Sequence, residues 1–311
     1  MTTVWCLPTS RTKRLLVSGE TACYAAAMPA KPQIAIVGPG RLGSTLSIAL
    51  TKAGYRVNEV ISRDTVGSQK RAREIARNTR SFTTTLKTAN LDSDVIWFCV
   101  PDREIAVAAR ALIRSAKWKG KVAFHSSGAL ASDELNVLRR HGAAVASVHP
   151  MMTFVHGSIP SLKGVAFALE GDAKAIRVAR RVTRALGGEA FSISRTSKIA
   201  YHAWGGFSSP LLVAMLVTAE QVARAAGLST TQARKIMLPI VKQTLANYSA
   251  LGPAGAFSGP IIRGDVGIVR QHLRTLQRMP RAKEVYVALA RAALQYLPAR
   301  NPKELKKLLG G

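Results

Sequence analysis

Gln33-Ile34-Ala35-Ile36-Val37-Gly38-Pro39-Gly40-Arg41-Leu42-Gly43 decides the fold of this chain. The first part is a short apolar run stopped by glycine, which predicts a buried parallel strand. The second part is G-x-G-x-x-G, placed directly after that strand and opening a helix predicted over 42–53. Gly38 permits the tight turn, Gly40 lets a pyrophosphate approach the backbone, and Gly43 lets the helix pack closely on the strand. Unpaired N–H groups and the dipole at the helix start favour phosphate charge. Arg41 and Leu42 are therefore grouped with the three glycines as expected cofactor-binding positions.

Outward from this loop the pattern repeats. Strands are predicted at 57–61, 94–100, 121–125 and 143–148, separated by helices at 65–78, 103–115 and 132–140. Two more strands, 165–169 and 190–193, flank a helix at 173–186. Such alternation predicts a doubly wound parallel sheet with helices on both faces. Beyond 195 strand signals vanish, and helical segments are predicted at 197–226, 230–250, 265–277 and 283–296. The expected class is thus α/β, a Rossmann-type sheet over 31–194 followed by an all-α domain over 195–311. Residues 1–30 hold Arg11, Lys13 and Arg14 but no apolar run long enough for a signal peptide. They read as a disordered or mis-called extension.

Charge and composition narrow the function. The net charge is +28, from 45 Lys and Arg against 17 Asp and Glu. It is spread evenly: 25 basic and 12 acidic residues over 31–194, 17 and 4 over 195–311. With aromatics at 6%, no base-stacking platform is evident, so a generally basic surface is expected and a nucleic-acid partner is not. Three cysteines give neither a disulfide framework nor zinc spacing, so no metal is expected, and a reducing cytoplasm fits. Ile199 to Ala219 carries no charged residue and is long enough to span a bilayer. It also holds His202, two glycines, two serines and Pro210. A buried or dimer-interface helix is expected there, with no membrane and a homodimer as the assembly.

The second strand should report the cofactor. An NAD site usually places Asp or Glu at its end, whereas this strand ends Ile61-Ser62-Arg63. A hydroxyl and an arginine suit a 2′-phosphate, with Lys70 and Arg71 close in sequence, and predict NADP. Asp64, one residue on, is the counter-indication. Ligands of an open parallel sheet bind beyond the carboxyl ends of its strands. Three loops lie there. Val100-Pro101 is expected to line the dinucleotide path. His125-Ser126-Ser127-Gly128 and Ser147-Val148-His149-Pro150-Met151 each bring an imidazole, suited to proton transfer near neutral pH or to holding the loops by hydrogen bonds.

Taken in order, several segments carry a resemblance. They are Pro39-Gly40-Arg41-Leu42-Gly43, Val100-Pro101-Asp102, His125 to Leu135, Ser147 to Met151 with Thr153-Phe154, and Gly259-Pro260-Ile261-Ile262-Arg263-Gly264-Asp265. The chain resembles, over about 31 to 309, the uncharacterised Rossmann-like oxidoreductase family with a C-terminal domain of unknown function. That group is similar to pyrroline-5-carboxylate reductase and to the 6-phosphogluconate/3-hydroxyisobutyrate dehydrogenase superfamily. The resemblance implies NADP, a helical dimerisation domain and a cleft between the domains.

Lys198 and His202 lie four apart, on one helix face. The resemblance implies that Lys198 is a proton donor; His202 departs from the family pattern, which has asparagine there. Arg263 is expected either to clamp a substrate carboxylate or to pair with Asp265. Together these readings predict hydride transfer between NADPH and a small carbonyl or imine. Lys198, His202 and His125 are the expected catalytic groups, Ser127 lines the nicotinamide region, and His149 and Arg263 bind substrate. A non-catalytic NADP-binding sensor or scaffold is the second expectation.

Overall fold

The computed structural model describes residues 31–310. The expectation for residues 1–30 therefore lies outside the described residues.

Eight strands form one sheet: β1 (Ile34–Val37), β2 (Val57–Ser62), β3 (Phe82–Thr85), β4 (Val95–Phe98), β5 (Val122–His125), β6 (Ala144–Pro150), β7 (Ala166–Gly171) and β8 (Glu189–Ser192). Their spatial order is β3-β2-β1-β4-β5-β6-β7-β8. The central strands are apolar at every position because both faces are covered; Ile34–Val37 and Val95–Phe98 are entirely buried. β1 lies between β2 and β4, parallel to both, so strand order reverses beside the glycine loop. That reversal opens the crevice expected of a topological switch point.

Helices α1 (Arg41–Lys52), α2 (Val66–Thr79) and α5 (Ala173–Ala185) bury Leu46, Leu50, Ala72, Ile75, Ala179 and Val182 against one face of the sheet. Helices α3 (Asp102–Ala111) and α4 (Asn136–Arg140) bury Ile105, Ala109 and Leu138 against the other. Two details differ from the expectation. β7 runs antiparallel to β6, so the sheet is parallel only up to β6 and again between β7 and β8. β3 was not expected, because Phe82-Thr83-Thr84-Thr85 is a half-exposed edge strand without an apolar run.

The chain then becomes helical: α6 (Lys198–Ser208), α7 (Pro210–Ala225), α8 (Thr230–Ala256), α9 (Pro260–Arg263), α10 (Val266–Leu276), α11 (Pro280–Tyr296) and α12 (Pro302–Leu308). The predicted single helix over 197–226 breaks at Ser209, which is non-helical at φ −134°, ψ −82°. Pro210 explains the break: it lacks an N–H and excludes its predecessor from the helical region. A small core of Val269, Leu273, Leu294 and Leu305 ties α10, α11 and α12 together.

The apolar helix expected to be buried or at a dimer interface is not buried within its own chain. Ile199, Trp204, Phe207, Leu211 and Val217 are exposed, Trp204 at 58% and Phe207 at 72%. The stretch Arg195–Ala225 is long and apolar enough by composition to cross a membrane, with a mean hydropathy of 1.3 in its most apolar window.

Candidate functional site

Two clefts open at the carboxyl edge of the sheet. The first lies at the glycine loop. Gly38 adopts φ +103°, and a Cβ there would fall 2.7 Å from the Cys99 carbonyl oxygen. A Cβ on Gly43 would fall 2.0 Å from the Gly38 carbonyl oxygen, so helix and turn meet without room for a side chain. Gly40 is different. It is exposed, caps α1, and a Cβ there would meet nothing closer than Cys99 O at 3.9 Å. The fold does not require glycine at 40; a group approaching the α1 N-terminus from outside does. The cleft therefore fits a dinucleotide pyrophosphate.

Arg63 and Arg71 enter the same cleft, opposite Val100 and Pro101. The backbone N–H of Arg63 donates to Ser68 Oγ at 3.3 Å, which fixes the turn, and among the described residues the guanidinium pairs with no carboxylate. The Ser62 hydroxyl donates to Thr84 O at 3.3 Å, so Ser62 lines the cleft chiefly as a small wall. Asp64 is engaged elsewhere, accepting from Lys87 Nζ at 3.2 Å and from Gln69 Nε2 at 3.1 Å. Leu42 packs its side chain on the core, so only its backbone could serve a phosphate. Arg41 stands exposed at the first helical position.

The second cleft lies beyond β6, between Met151–Phe154 and the α6–α7 break, with His149 and His202 on its wall. The two imidazole centroids are 6.4 Å apart. His149 Nδ1 is 2.8 Å from the Tyr201 hydroxyl. Burial first, then the charges of Lys198 and His202, push His149 down to about 4. Burial pushes Tyr201 up to about 12. Gly128 completes the arrangement: a Cβ there would lie 2.8 Å from His202 Cδ2 and 2.9 Å from His149 Nε2. The HSSG loop thus ends in glycine because two imidazoles occupy the space a side chain would need.

Beneath this cleft is Lys198, only 1% exposed. Its Nζ donates to Ser127 O at 3.1 Å and to Ser147 Oγ at 2.7 Å. Ser147 Oγ itself donates to Ser127 O at 3.0 Å. Burial lowers Lys198 to about 8, while the nearby Glu170 and Asp102 carboxylates oppose that shift. Lys198 is therefore a buried cation that ties α6 to the ends of β5 and β6. It does not project into the cleft as a free donor, which corrects the direct proton-donor expectation.

Two further expectations are corrected, and for Arg263 the structure shows the second of its two alternatives, pairing with Asp265. His125 is fully buried; its Nδ1 accepts from the Ser127 N–H at 3.1 Å and its Nε2 therefore donates to Ala131 O at 2.9 Å. With both nitrogens engaged and burial pushing it down to about 4, it holds the loop and has no path to a substrate. The Ser127 hydroxyl is saturated too. It donates to Asp102 Oδ2 at 2.9 Å and accepts from Leu130 N at 2.9 Å and Ala129 N at 3.2 Å. It bridges two loops and does not line a nicotinamide path. Arg263, on the short α9, donates to Asp265 Oδ2 at 2.8 Å, and α9 packs against α10 and α11. It forms an intrachain pair away from the His149–His202 cleft. Asp265 stands at the N-cap of α10 but makes no side-chain cap bond.

Tyr201, Ser147 and Gly128 had no assigned role in the sequence reading. Tyr201 was accessible in principle: three residues after Lys198 in an apolar helix, a phenol shares the lysine's face and needs a polar partner.

Comparison with known proteins accords with this geometry. The family described as a Rossmann-like domain matches residues 20–150. The domain of unknown function DUF2520 matches residues 165–293, so that match begins inside the sheet, at β7. No curated protein matches the chain by sequence. Among solved structures, the Bacteroides fragilis protein BF3122, provisionally assigned as an NADP oxidoreductase, is 23% identical; the match covers 84% of this chain and 97% of that one, with a TM-score of 0.70. A reductive aminase from Aspergillus terreus, solved with NADPH and ethyl-5-oxohexanoate, is 16% identical over 86% and 94% of the two chains, with a TM-score of 0.62. A pyrroline-5-carboxylate reductase from Coxiella burnetii is 15% identical over 90% and 99%, with a TM-score of 0.56. These likenesses establish the fold.

Proposed function

For a chain that joins a Rossmann-like domain to a DUF2520 domain, we propose an NADP-dependent reductase acting on a small carbonyl or imine. The observation that carries the reading is a pair of clefts at the carboxyl edge of one sheet. One has an exposed glycine at a helix N-terminus, two arginines and Glu104, which pairs with Arg103; the other has two imidazoles and, among the described residues, no charged side chain. The solved structures with this fold include proteins whose bound ligands are NADPH and a keto ester, which supports the same reading.

When bound, the cofactor supplies the hydride. The α1 N-terminus and Gly40 hold its pyrophosphate, and Arg63 with Arg71 reads the 2′-phosphate. Asp64, turned outward to Lys87, is not placed to select a free ribose hydroxyl. Tyr201 keeps its proton and donates to His149 Nδ1, which leaves the His149 proton on Nε2. That N–H polarises the substrate oxygen or nitrogen as a neutral hydrogen-bond donor. The buried Lys198 ammonium beneath it favours negative charge developing on the same atom. His202, exposed at the cleft mouth, delivers the proton that completes a carbonyl reduction. Among the described residues no cation lines the second cleft, so a substrate carboxylate finds no clamp there.

The apolar face of α6, α7 and α8 supports a homodimer. Trp204, Phe207, Leu211, Ile236, Ile240 and Tyr248 are exposed together and would be costly to leave in water. A second copy covers them more readily than a bilayer, because His202, the glycine pair and the Pro210 break interrupt the stretch.

Parallel fluorescence titrations with NADPH and NADH test the foundation, followed by a panel of aldehydes, ketones, keto acids and imines. NADPH is expected to bind at least about tenfold more tightly, with Arg63→Ala abolishing the difference, a change of roughly 1.4 kcal/mol or more. Binding of neither cofactor overturns the reading. Binding without turnover of any panel member favours a sensor or scaffold. Turnover unaffected by His202→Ala and by Lys198→Met removes the catalytic assignment.

A further inference from the structure

The two faces of the sheet differ in charge. On the face covered by α1, α2 and α5, α5 carries five basic side chains and no carboxylate, α2 carries four and one, and α1 carries two and none. On the opposite face α3 carries two of each sign, as does the segment formed by the turn Ser132–Leu135 and α4, and Arg114, Lys117 and Lys119 follow α3. The first face is the more strongly cationic, with eleven basic side chains against one carboxylate on its three helices.

Arg41 and Arg71 stand at the dinucleotide end and are set aside. What remains forms ridges on the outer surface. Arg177, Arg181 and Arg184 follow one another three or four residues apart on α5, and Arg73 and Arg77 do so on α2. Lys52 closes α1 between them. All six are exposed. Among the described residues none of them pairs with a carboxylate. Arg181 lies near enough to Tyr55, just past α1, to act on its hydroxyl, and Lys31 Nζ sits 5.2 Å from the same ring. The α5 ridge thus comes within electrostatic reach of the end of α1. Like charges at this density repel and weaken the fold, so folding itself does not account for them.

We propose that this face binds the phosphodiester backbone of a nucleic-acid duplex. Arginine dominates the ridges, and its planar fork matches phosphate oxygens. Apart from Val66 at the start of α2, these three helices expose no large apolar side chain. The face thus offers no wedge for a bilayer and no aromatic platform for unstacked bases. A charged backbone with its bases turned inward suits it. α1 and α2 pack against each other over β1 to β3, and α5 covers β5 to β8 on the same face, so the basic side chains are spread across the width of the sheet. Contact of this kind is independent of base sequence and sensitive to salt. The inference stands apart from the reductase reading, since it uses neither cleft.

The test is fluorescence anisotropy of the full chain with a 20-base-pair DNA duplex and a matching RNA duplex, each at several salt concentrations. Binding is expected to weaken linearly in log–log form, with a slope of about −4 if four or five phosphates are met. A variant carrying Arg177→Glu, Arg181→Glu and Arg184→Glu should bind at least about tenfold more weakly and flatten that slope by roughly 2 to 3. A control of equal net charge, carrying Arg110→Glu, Arg114→Glu and Arg140→Glu on the opposite face, should keep most of the affinity. Thermal melting of both variants verifies that they fold. Three outcomes overturn the proposal: no binding to either duplex near 0.1 M salt, equal loss in both variants, or retention on phosphatidylserine vesicles with neither duplex bound.

Discussion

Gly38, Gly40 and Gly43 are the same residue type doing different work, and single substitutions separate them. Gly43→Ala places a methyl 2.0 Å from a backbone oxygen that cannot move independently. It should destabilise the fold by about 1–3 kcal/mol or more in urea unfolding, in the range of overpacked sites. Gly40→Ala should leave unfolding unchanged yet weaken NADPH by about tenfold or more, because the methyl meets only the incoming pyrophosphate. If Gly40→Ala also unfolds the protein, the cradle reading is wrong. His125 makes a prediction of opposite character. It is neutral in the folded state down to about 4, whereas the unfolded chain protonates near 6.5. The unfolded state therefore binds more protons in that window. The associated stability is present above about 6.5 and is lost as pH falls towards 4, on the order of 3 kcal/mol. His149 adds loss of the same sign. Urea unfolding at pH 7.5, 5.5 and 4.5 should show this slope, and His125→Gln should flatten it; an unchanged slope would remove His125 from the account.

Among the elements, α6 shows how one helix face joins structure to chemistry. Lys198 and Tyr201 are buried inward while His202 faces the cleft mouth, as spacings of three and four residues allow. Lys198→Met should change stability by no more than about 1 kcal/mol, since burying the ammonium costs free energy that its two hydrogen bonds only partly offset. Ser147 can still donate to Ser127 O in that variant. Turnover should nevertheless fall about tenfold or more, because the field under His149 is lost; a large loss of stability with full specific activity would reverse this assignment. The start of α8 provides a structural reference. Ser229 and Gln232 form a reciprocal capping box, with Ser229 Oγ accepting from Gln232 N and Gln232 Oε1 accepting from Ser229 N. Ser229→Ala should cost about 1 kcal/mol by thermal melting without altering NADPH affinity.

At the scale of the molecule, the exposed faces of α6, α7 and α8 predict assembly. Sedimentation should give the mass of two chains, and Trp204→Ser with Phe207→Ser should shift it towards one while lowering turnover, since their chain neighbours Gly205, Gly206 and Ser208 line the second cleft. A monomeric wild type with full activity would defeat this. The sheet, its switch point and the glycine loop were legible in the chain itself. Buried parallel strands need continuous apolar runs, and a phosphate loop needs glycine at fixed spacings. The polar edge strand β3 and the reversal at β7 were not, because an edge strand needs no apolar signature and strand direction depends on distant partners. The same limit governs the site. Sequence places His125, His149, Lys198 and His202 near one sheet edge, since strand ends and a helix start fall there. Only the tertiary structure separates the two sealed groups from the two that line the cleft, because burial and hydrogen-bond saturation are set by loops far apart in the chain. It alone also shows the basic side chains gathered more densely on one face of the sheet: charge spread evenly along the chain becomes uneven once right-handed crossovers carry α1 and α2 to the face that α5 also covers.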